Sequence, residues 1–225
     1  MIIQLTNHTI KLEIPREYTR VGIKMSGGAD SSILCYMLSQ YKAQERPDIE
    51  IFPITAIKNS NAYQFEIAHQ VVSFCEKHFD IKFRPHTVLG RGKNAKEMSH
   101  IQKILRNHMY GNKIIQCHVM GVTANPPLDV CKAFEQQNPK GRRDPERDPA
   151  DKLFPEIVDD SSFRPFANVD KKVIAELYQY FGLTNSLFPM TKSCEADSPT
   201  WDSPHCGGSR CWFCLERQWG FGRLI

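Results

Sequence analysis

Two clusters of residue types in this sequence are equipped for chemistry. The first is Met25-Ser-Gly-Gly-Ala-Asp-Ser-Ser32. Adjacent glycines reach backbone angles closed to other residues and let a ligand approach the main chain, so consecutive N–H groups can converge on an anion. Ser26, Ser31 and Ser32 add hydroxyl donors for phosphate oxygens, with Gly27 and Gly28 at the turn, and Asp30 adds a carboxylate able to hold Mg²⁺. The second cluster is Cys194, Cys206, Cys211 and Cys214, spaced C-x11-C-x4-C-x2-C, with Gly207 and Gly208 easing the approach. Four thiolates so grouped suit tetrahedral Zn²⁺ in a closed, structural site. An iron–sulfur or redox-active set and four unligated buried thiols are the alternatives, and His205 is a substitute ligand.

These clusters need elements to position them. Val21–Met25 reads as a short buried strand that runs into the glycine turn, and a helix follows from about Ser31 to Tyr41, with Ile33, Leu34, Met37 and Leu38 inward. The turn therefore sits at the carboxyl end of a strand and the amino end of a helix, where phosphate is bound in open α/β sheets. Strands are predicted at 50–57, 81–88 and 114–120, with Pro85 marking the second as an edge strand or ending it early. Helices are predicted at 62–79, 95–110 and from Pro126-Pro127 to about Gln137. Residues 138–162, rich in Pro, Asp and Arg, read as a long loop. Asn168 or Asp170 caps a helix that Gly182 ends, and the remainder reads as irregular. Ile3, Leu5, Ile10, Leu12 and Ile14 alternate about Thr6-Asn-His8 as a hairpin. Alternating strands and helices predict an α/β fold, a mainly parallel Rossmann-like sheet with helices on both faces. The expected organisation is a hairpin over 1–19, a nucleotide-binding domain over 20–185 and a zinc-binding segment over 186–225.

Composition narrows the class. The 225 residues, 41% hydrophobic and 24% charged, support one generous core. No run approaches the roughly 20 apolar residues of a membrane span. The first residues lack a secretory leader, so the expectation is a cytoplasmic protein, with which a homodimer is compatible. Cys35, Cys75, Cys117 and Cys131 stand singly in apolar or mixed stretches and read as core. From Lys82 to Lys113 eight Lys/Arg face one acid, Glu97, either a solvated helix face or an attractor of phosphate-bearing ligands. Nothing matches GxxxxGK[ST] or GxGxxG, which removes Walker-type NTPases and dinucleotide enzymes.

SGGADSS resembles the SGGxDS signature of the PP-loop, or N-type, ATP pyrophosphatases, a branch of the HUP (adenine nucleotide alpha hydrolase-like) folds. The resemblance implies ATP bound at Ser26, Gly27, Gly28, Asp30, Ser31 and Ser32, with Mg²⁺ at Asp30 and cleavage between the α and β phosphates. Met120-Gly-Val-Thr-Ala-Asn125 is similar to the family's GHTADD-like segment, which implies nucleotide contacts from Gly121 and Thr123; Asn125 stands where that pattern has aspartate. The tail, with Ser193-Cys194, His205-Cys-Gly207 and Cys211-Trp-Phe-Cys-Leu-Glu-Arg217, resembles the 7-cyano-7-deazaguanine synthases. Thr123-Ala-Asn-Pro-Pro-Leu-Asp129 and the charged insert from Gln137 to Asp160 depart from that family.

The reading that follows is a ligase that adenylates a small carboxylate, a 7-deazapurine acid by resemblance, releases pyrophosphate and transfers ammonia to give an amide or nitrile. Asp30 and Lys192 are its candidate catalytic residues, and Arg91 and Lys93 could close over the site. Two alternatives stay open: a tRNA-modifying PP-loop enzyme that uses the 82–113 basic segment, and a non-catalytic nucleotide sensor.

Overall fold

The computed structural model describes residues 1–58, 63–92, 95–138, 143–148, 156–159, 161–194 and 211–224. The apolar alternation at the start folds back on itself. Strands β1 (Ile2–Gln4) and β2 (Thr9–Lys11) pair antiparallel with Ile3 opposite Ile10. Ile3, Ile10, Leu12 and Ile14 turn inward and join the main core, while Ile2 faces solvent.

The main sheet has six strands: β3 (Arg20–Lys24), β4 (Glu50–Lys58), β5 (Thr87–Gly92), β6 (Cys117–Val119), β7 (Glu156–Asp159) and β8 (Ser162–Arg164). Their order is β5-β4-β3-β6-β8-β7, all neighbours parallel except the β7–β8 edge pair. The helices are α1 (Ala29–Gln44), α2 (Tyr63–Phe79), α3 (Ala95–Gly111), α4 (Leu128–Gln137), α5 (Lys171–Tyr180) and α6 (Trp212–Phe221). Val21 and Ile23 of β3 share a core cluster with residues of α1, α2 and α5. Gly22, between them, faces the other way, where a Cβ would stand 2.9 Å from Ile54 and Ile115. Ile54 and Ile115 pack with Leu105 and Met109 of α3, so both faces of the sheet are covered. Burial on both faces explains why the central strands read as short apolar runs with little alternation.

Chain order places a switch point beside β3: β4 and β5 lie to one side, β6 and β8 to the other. Loops leaving β3 and β6 therefore diverge and open a crevice at the carboxyl edge of the sheet.

Helix α1 is buried on more than one face: Cys35, Tyr36, Ser39 and Tyr41 are enclosed as well as the predicted Ile33, Leu34, Met37 and Leu38. It packs against both α2 and α5, which is why its apolar residues run around the helix. Four sequence expectations are corrected. β5 starts at Thr87, because Pro85 has no N–H for the ladder, although Arg84 N–H still reaches the Ile51 carbonyl (2.8 Å). α4 starts after both prolines, with Pro127 extended as its N-cap, and Pro126, the residue before a proline, is held out of the helical region. The segment read as one long loop contains a 3₁₀ turn at Pro145–Arg147, capped by the Asp144 carboxylate, and strand β7. The end of the chain, read as irregular, carries α6, which closes on Gly222 at φ +69°.

Candidate functional site

The glycine turn has the form its residues suggest. Gly27 takes φ +75°, a left-handed conformation that disfavours side chains, and Gly28 is the extended N-cap of α1. Ser31 and Ser32 hydroxyls donate to the Gly28 carbonyl (3.1 and 2.8 Å). Ser31 Oγ also accepts from the Ser26 N–H (3.3 Å) and lies 3.1 Å from Ser26 Oγ. The loop is thus braced by its own hydroxyls. The first N–H groups of α1 have no intrahelical acceptor, as at every helix start, and carry the positive end of the helix dipole.

A cavity of about 390 Å³ opens against this turn. Ser26 and Ser31 form one edge, Met120, Gly121 and Val122 from the loop after β6 another, and α3 covers it with Leu105, Arg106 and Met109. Its remaining polar lining includes Lys24, Tyr110, His118 and Arg164, and none of the lining residues is acidic. His118, almost fully buried, places Nδ1 2.5 Å from Tyr110 Oη and Nε2 3.3 Å from Ser162 Oγ. Gly121 is required by contact: a Cβ there would meet the Asp30 backbone at 2.8 Å, so only glycine lets the β6 loop lie against the start of α1.

The other predicted residues sit around this cavity in distinct ways. Ser32 is fully buried in the first turn of α1. Asp30 points to α5, where its Oδ2 forms an ion pair with the ammonium of Lys171, while Oδ1 is buried without a hydrogen-bond partner among the described residues. Lys192 reaches the turn through its backbone, its N–H donating to the Gly27 carbonyl (2.9 Å), and its ammonium lies 5.3 Å from the Tyr63 ring centre. Thr123 is buried and is not among the residues that line the cavity. Its carbonyl and hydroxyl accept from Arg147 (2.9 and 3.1 Å). Lys93, His205 and Cys206 lie outside the described residues, as does the side chain of Arg91.

Arg147 comes from the insert and was not singled out by sequence reasoning. Its guanidinium also donates to the Ala124 carbonyl (3.2 Å) and to Glu216 of α6 (2.8 Å), which accepts in addition from Trp212 Nε1 (3.0 Å). Asn125 completes the clamp. Its side-chain amide donates to the Asp144 carbonyl (2.6 Å) and to the Asp148 carboxylate (2.7 Å). An aspartate here would have no hydrogens to donate and would face a like charge, which explains the asparagine at this position.

Cys194, Cys211 and Cys214 come together with all three sulfurs within 4.8 Å of one another, and Cys194 to Cys211 is 3.8 Å. Thiolates on one tetrahedral ion at Zn–S of about 2.3 Å stand about 3.8 Å apart. The spacing therefore fits ligands of a single ion. The ligand loop is held by Arg217, fully buried, which donates to Thr191 Oγ1 (2.7 Å), Ser193 Oγ (3.2 Å) and the Phe188 carbonyl (3.2 Å). Burial lowers this guanidinium's pKa to about 10. Cys35, Cys75, Cys117 and Cys131 are buried and apart from this trio, and burial pushes the Cys117 thiol up to about 12.

Lys171 was missed although its position was visible in outline. It stands three and seven residues before Ile174 and Tyr178, both buried, and so belongs to the inward stripe of α5. His118 and Arg164 lacked any motif, because strand order alone brings β6 and β8 beside the glycine turn.

No family model and no curated protein sequence matches the chain. Among solved structures it is similar to the U34-tRNA thiolase NcsA from Methanococcus maripaludis, determined with its 4Fe-4S cluster. The TM-score is 0.46 at 16% identity, over 73% of this chain and 58% of that one. The chain thus spans less than two thirds of the length of that structure. No helix among the described residues is long and apolar enough to cross a membrane.

Proposed function

We propose that this chain is an ATP-dependent adenylating enzyme of the PP-loop type. The observation that carries the reading is the shared wall between the glycine turn and the cavity: Ser26 and Ser31 present hydroxyls where Met25 and Met120–Val122 offer a largely apolar slot. A nucleoside fits the slot while the β and γ phosphates meet loop hydroxyls and the free N–H groups of α1. A substrate oxygen attacks the α phosphorus, the bond to the bridging β oxygen breaks, and pyrophosphate leaves with that electron pair. A nucleophile then attacks the activated carbon and AMP departs with the substrate oxygen. The loop and helix start supply preorganised donors for the charge that develops on the phosphates. Asp30 Oδ1, buried and without a hydrogen-bond partner among the described residues, fits a ligand of Mg²⁺, which when bound would neutralise phosphate charge.

The cationic lining of Lys24, Arg106 and Arg164, with no acid among the lining residues, supports an acidic substrate. A small carboxylate such as a 7-deazapurine acid, with ammonia as the nucleophile, fits that lining. The cysteine trio holds Zn²⁺ as a structural ion that ties α6 to the Thr191–Cys194 segment. A second reading is favoured by α3, whose exposed residues include Lys103 and Arg106, with Lys113 just beyond its end. That face borders the cavity and suits RNA phosphates, so a tRNA base is the competing substrate.

Pyrophosphate release in the presence of 7-carboxy-7-deazaguanine and ammonium, and separately with bulk tRNA, tests both. Release with the small acid alone supports the ligase, and release with tRNA alone supports RNA modification. ATP binding without release under either condition refutes catalysis and leaves a nucleotide sensor.

A further inference from the structure

Buried charges in this fold are paired with one exception. Arg46 meets Asp48, Lys171 meets Asp30 and Glu216 meets Arg147. Arg217 is 0% exposed, the lowest value for any charged residue among those described, and it forms no ion pair with them. Its guanidinium donates to Thr191 Oγ1 (2.7 Å), Ser193 Oγ (3.2 Å) and the carbonyls of Phe188 (3.2 Å) and Leu224 (2.7 Å), and lies 3.9 Å from the Phe188 ring centre. These are dipoles and a π face, and none supplies the full negative charge that a buried cation calls for. The cysteine trio can supply it. Cys214 precedes Arg217 by three residues in α6, so both stand on one face of that helix a turn apart. Ser193, whose hydroxyl Arg217 holds, directly precedes Cys194. Arg217 therefore stands on the helix that carries one ligand and grips the loop that carries another. Thiols without metal are neutral, whereas three thiolates on one divalent ion leave a net negative charge.

We propose that Arg217 is the counter-ion of the metal centre. Its buried positive charge offsets the negative charge that thiolate ligation creates, so metal and arginine each stabilise the other. Arg217 is then a positioning residue, acting on the metal through the thiolates by its charge as well as by its hydrogen bonds. This inference rests on the zinc-binding part of the reading above, and not on the reaction at the glycine turn.

Zinc affinity of the full chain, measured at one fixed pH by competition with a chromophoric chelator, tests the proposal. Arg217→Gln keeps hydrogen-bond donors and removes the charge, and it should bind zinc about 10–100-fold more weakly, the usual effect of losing an outer-shell partner. Arg217→Lys keeps the charge and should recover part of that loss. Urea unfolding of zinc-loaded and EDTA-stripped protein gives a second reading. Arg217→Gln should lose more stability in the loaded form, because only that form contains the anion the arginine offsets. A merely structural arginine would weaken both forms alike and leave zinc affinity unchanged. Arg217→Met, apolar and of similar length, replaces the glutamine variant in both measurements if the latter does not fold. Wild-type affinity in the neutral variant overturns the proposal, as does Arg217→Lys binding no better than Arg217→Gln. A wild type that binds no zinc sinks the zinc reading along with this one, whereas neutral variants that match a zinc-binding wild type sink this inference alone.

Discussion

Arg147→Met offers the most direct test of how the insert supports the site. The arginine side chain is 14% exposed and that of its partner Glu216 only 1%, so solvent screens the pair little. Removing the guanidinium strands a buried carboxylate with Trp212 Nε1 still donating to Oε1, while Oε2 has no partner among the described residues. It also frees the Thr123 and Ala124 carbonyls and the Thr123 hydroxyl. Breaking a buried pair from one side costs about 3–5 kcal/mol. Glu216→Leu should cost less, about 1–3 kcal/mol, because Arg147 keeps its three contacts to the Thr123–Ala124 backbone and hydroxyl. The double variant removes both charges, and its loss should fall short of the sum of the singles by about 2 kcal/mol or more. Urea unfolding with a common m-value measures all four corners of the cycle. Losses that add to within about 0.5 kcal/mol, or an Arg147→Met cost below about 1 kcal/mol, would refute the view that this pair fastens the insert to the molecule.

Cys194→Ser and Cys214→Ser should each lower bound zinc, read by elemental analysis, and lower the melting temperature together with it; wild-type metal content in either variant removes that cysteine from the ligand set. Asn125→Asp should cost about 2–4 kcal/mol, since two donors are lost and the new carboxylate faces Asp148, and a loss under about 0.5 kcal/mol in thermal unfolding would show that the clamp does not depend on the amide. His86 is held down at about 4 by burial first and by the His69 charge second. A histidine depressed below its unfolded value of 6.5 favours the native state above that value, so its contribution should be complete above pH 6.5 and be lost as pH falls toward 4. His86→Gln should flatten the acid limb of the stability curve across that window, and an unchanged limb excludes His86 as its source.

Much of this architecture was readable because local chemistry and tertiary environment agree. The strand, glycine turn and helix from Val21 to Tyr41 are written in adjacent residues, and each choice there serves the same geometry. Cys211 and Cys214 were equally plain, since ligands on one short segment come as a spacing. Other parts depended on distance. Lys171 and Asp30 lie 141 residues apart, and a lysine at the start of an amphipathic helix ordinarily reads as a surface charge. Arg147 was hidden by its surroundings, a charged stretch whose pattern has no period, because its partners are backbone carbonyls and a glutamate in another helix. Helix α6 was overlooked because cysteine spacing suggested a loop, although Gly222 stands where a helix terminator belongs. The opposite error, prolines placed inside α4, came from allowing two in a row where the second bars the first from helical angles.

The bond from Lys192 N–H to the Gly27 carbonyl has a consequence for the making of the protein. The glycine turn is synthesised well before the residues that complete its backbone, since Asp30 and Lys171 alone are 141 residues apart. Lys171, Tyr178 and Lys192 all reach back to Gly27–Asp30, so the turn cannot take its final shape until those residues have been made. A nascent chain that stops short of Lys192 would therefore expose a half-built glycine turn. The order of synthesis thus makes completion of the turn wait on Lys192 being delivered and seated.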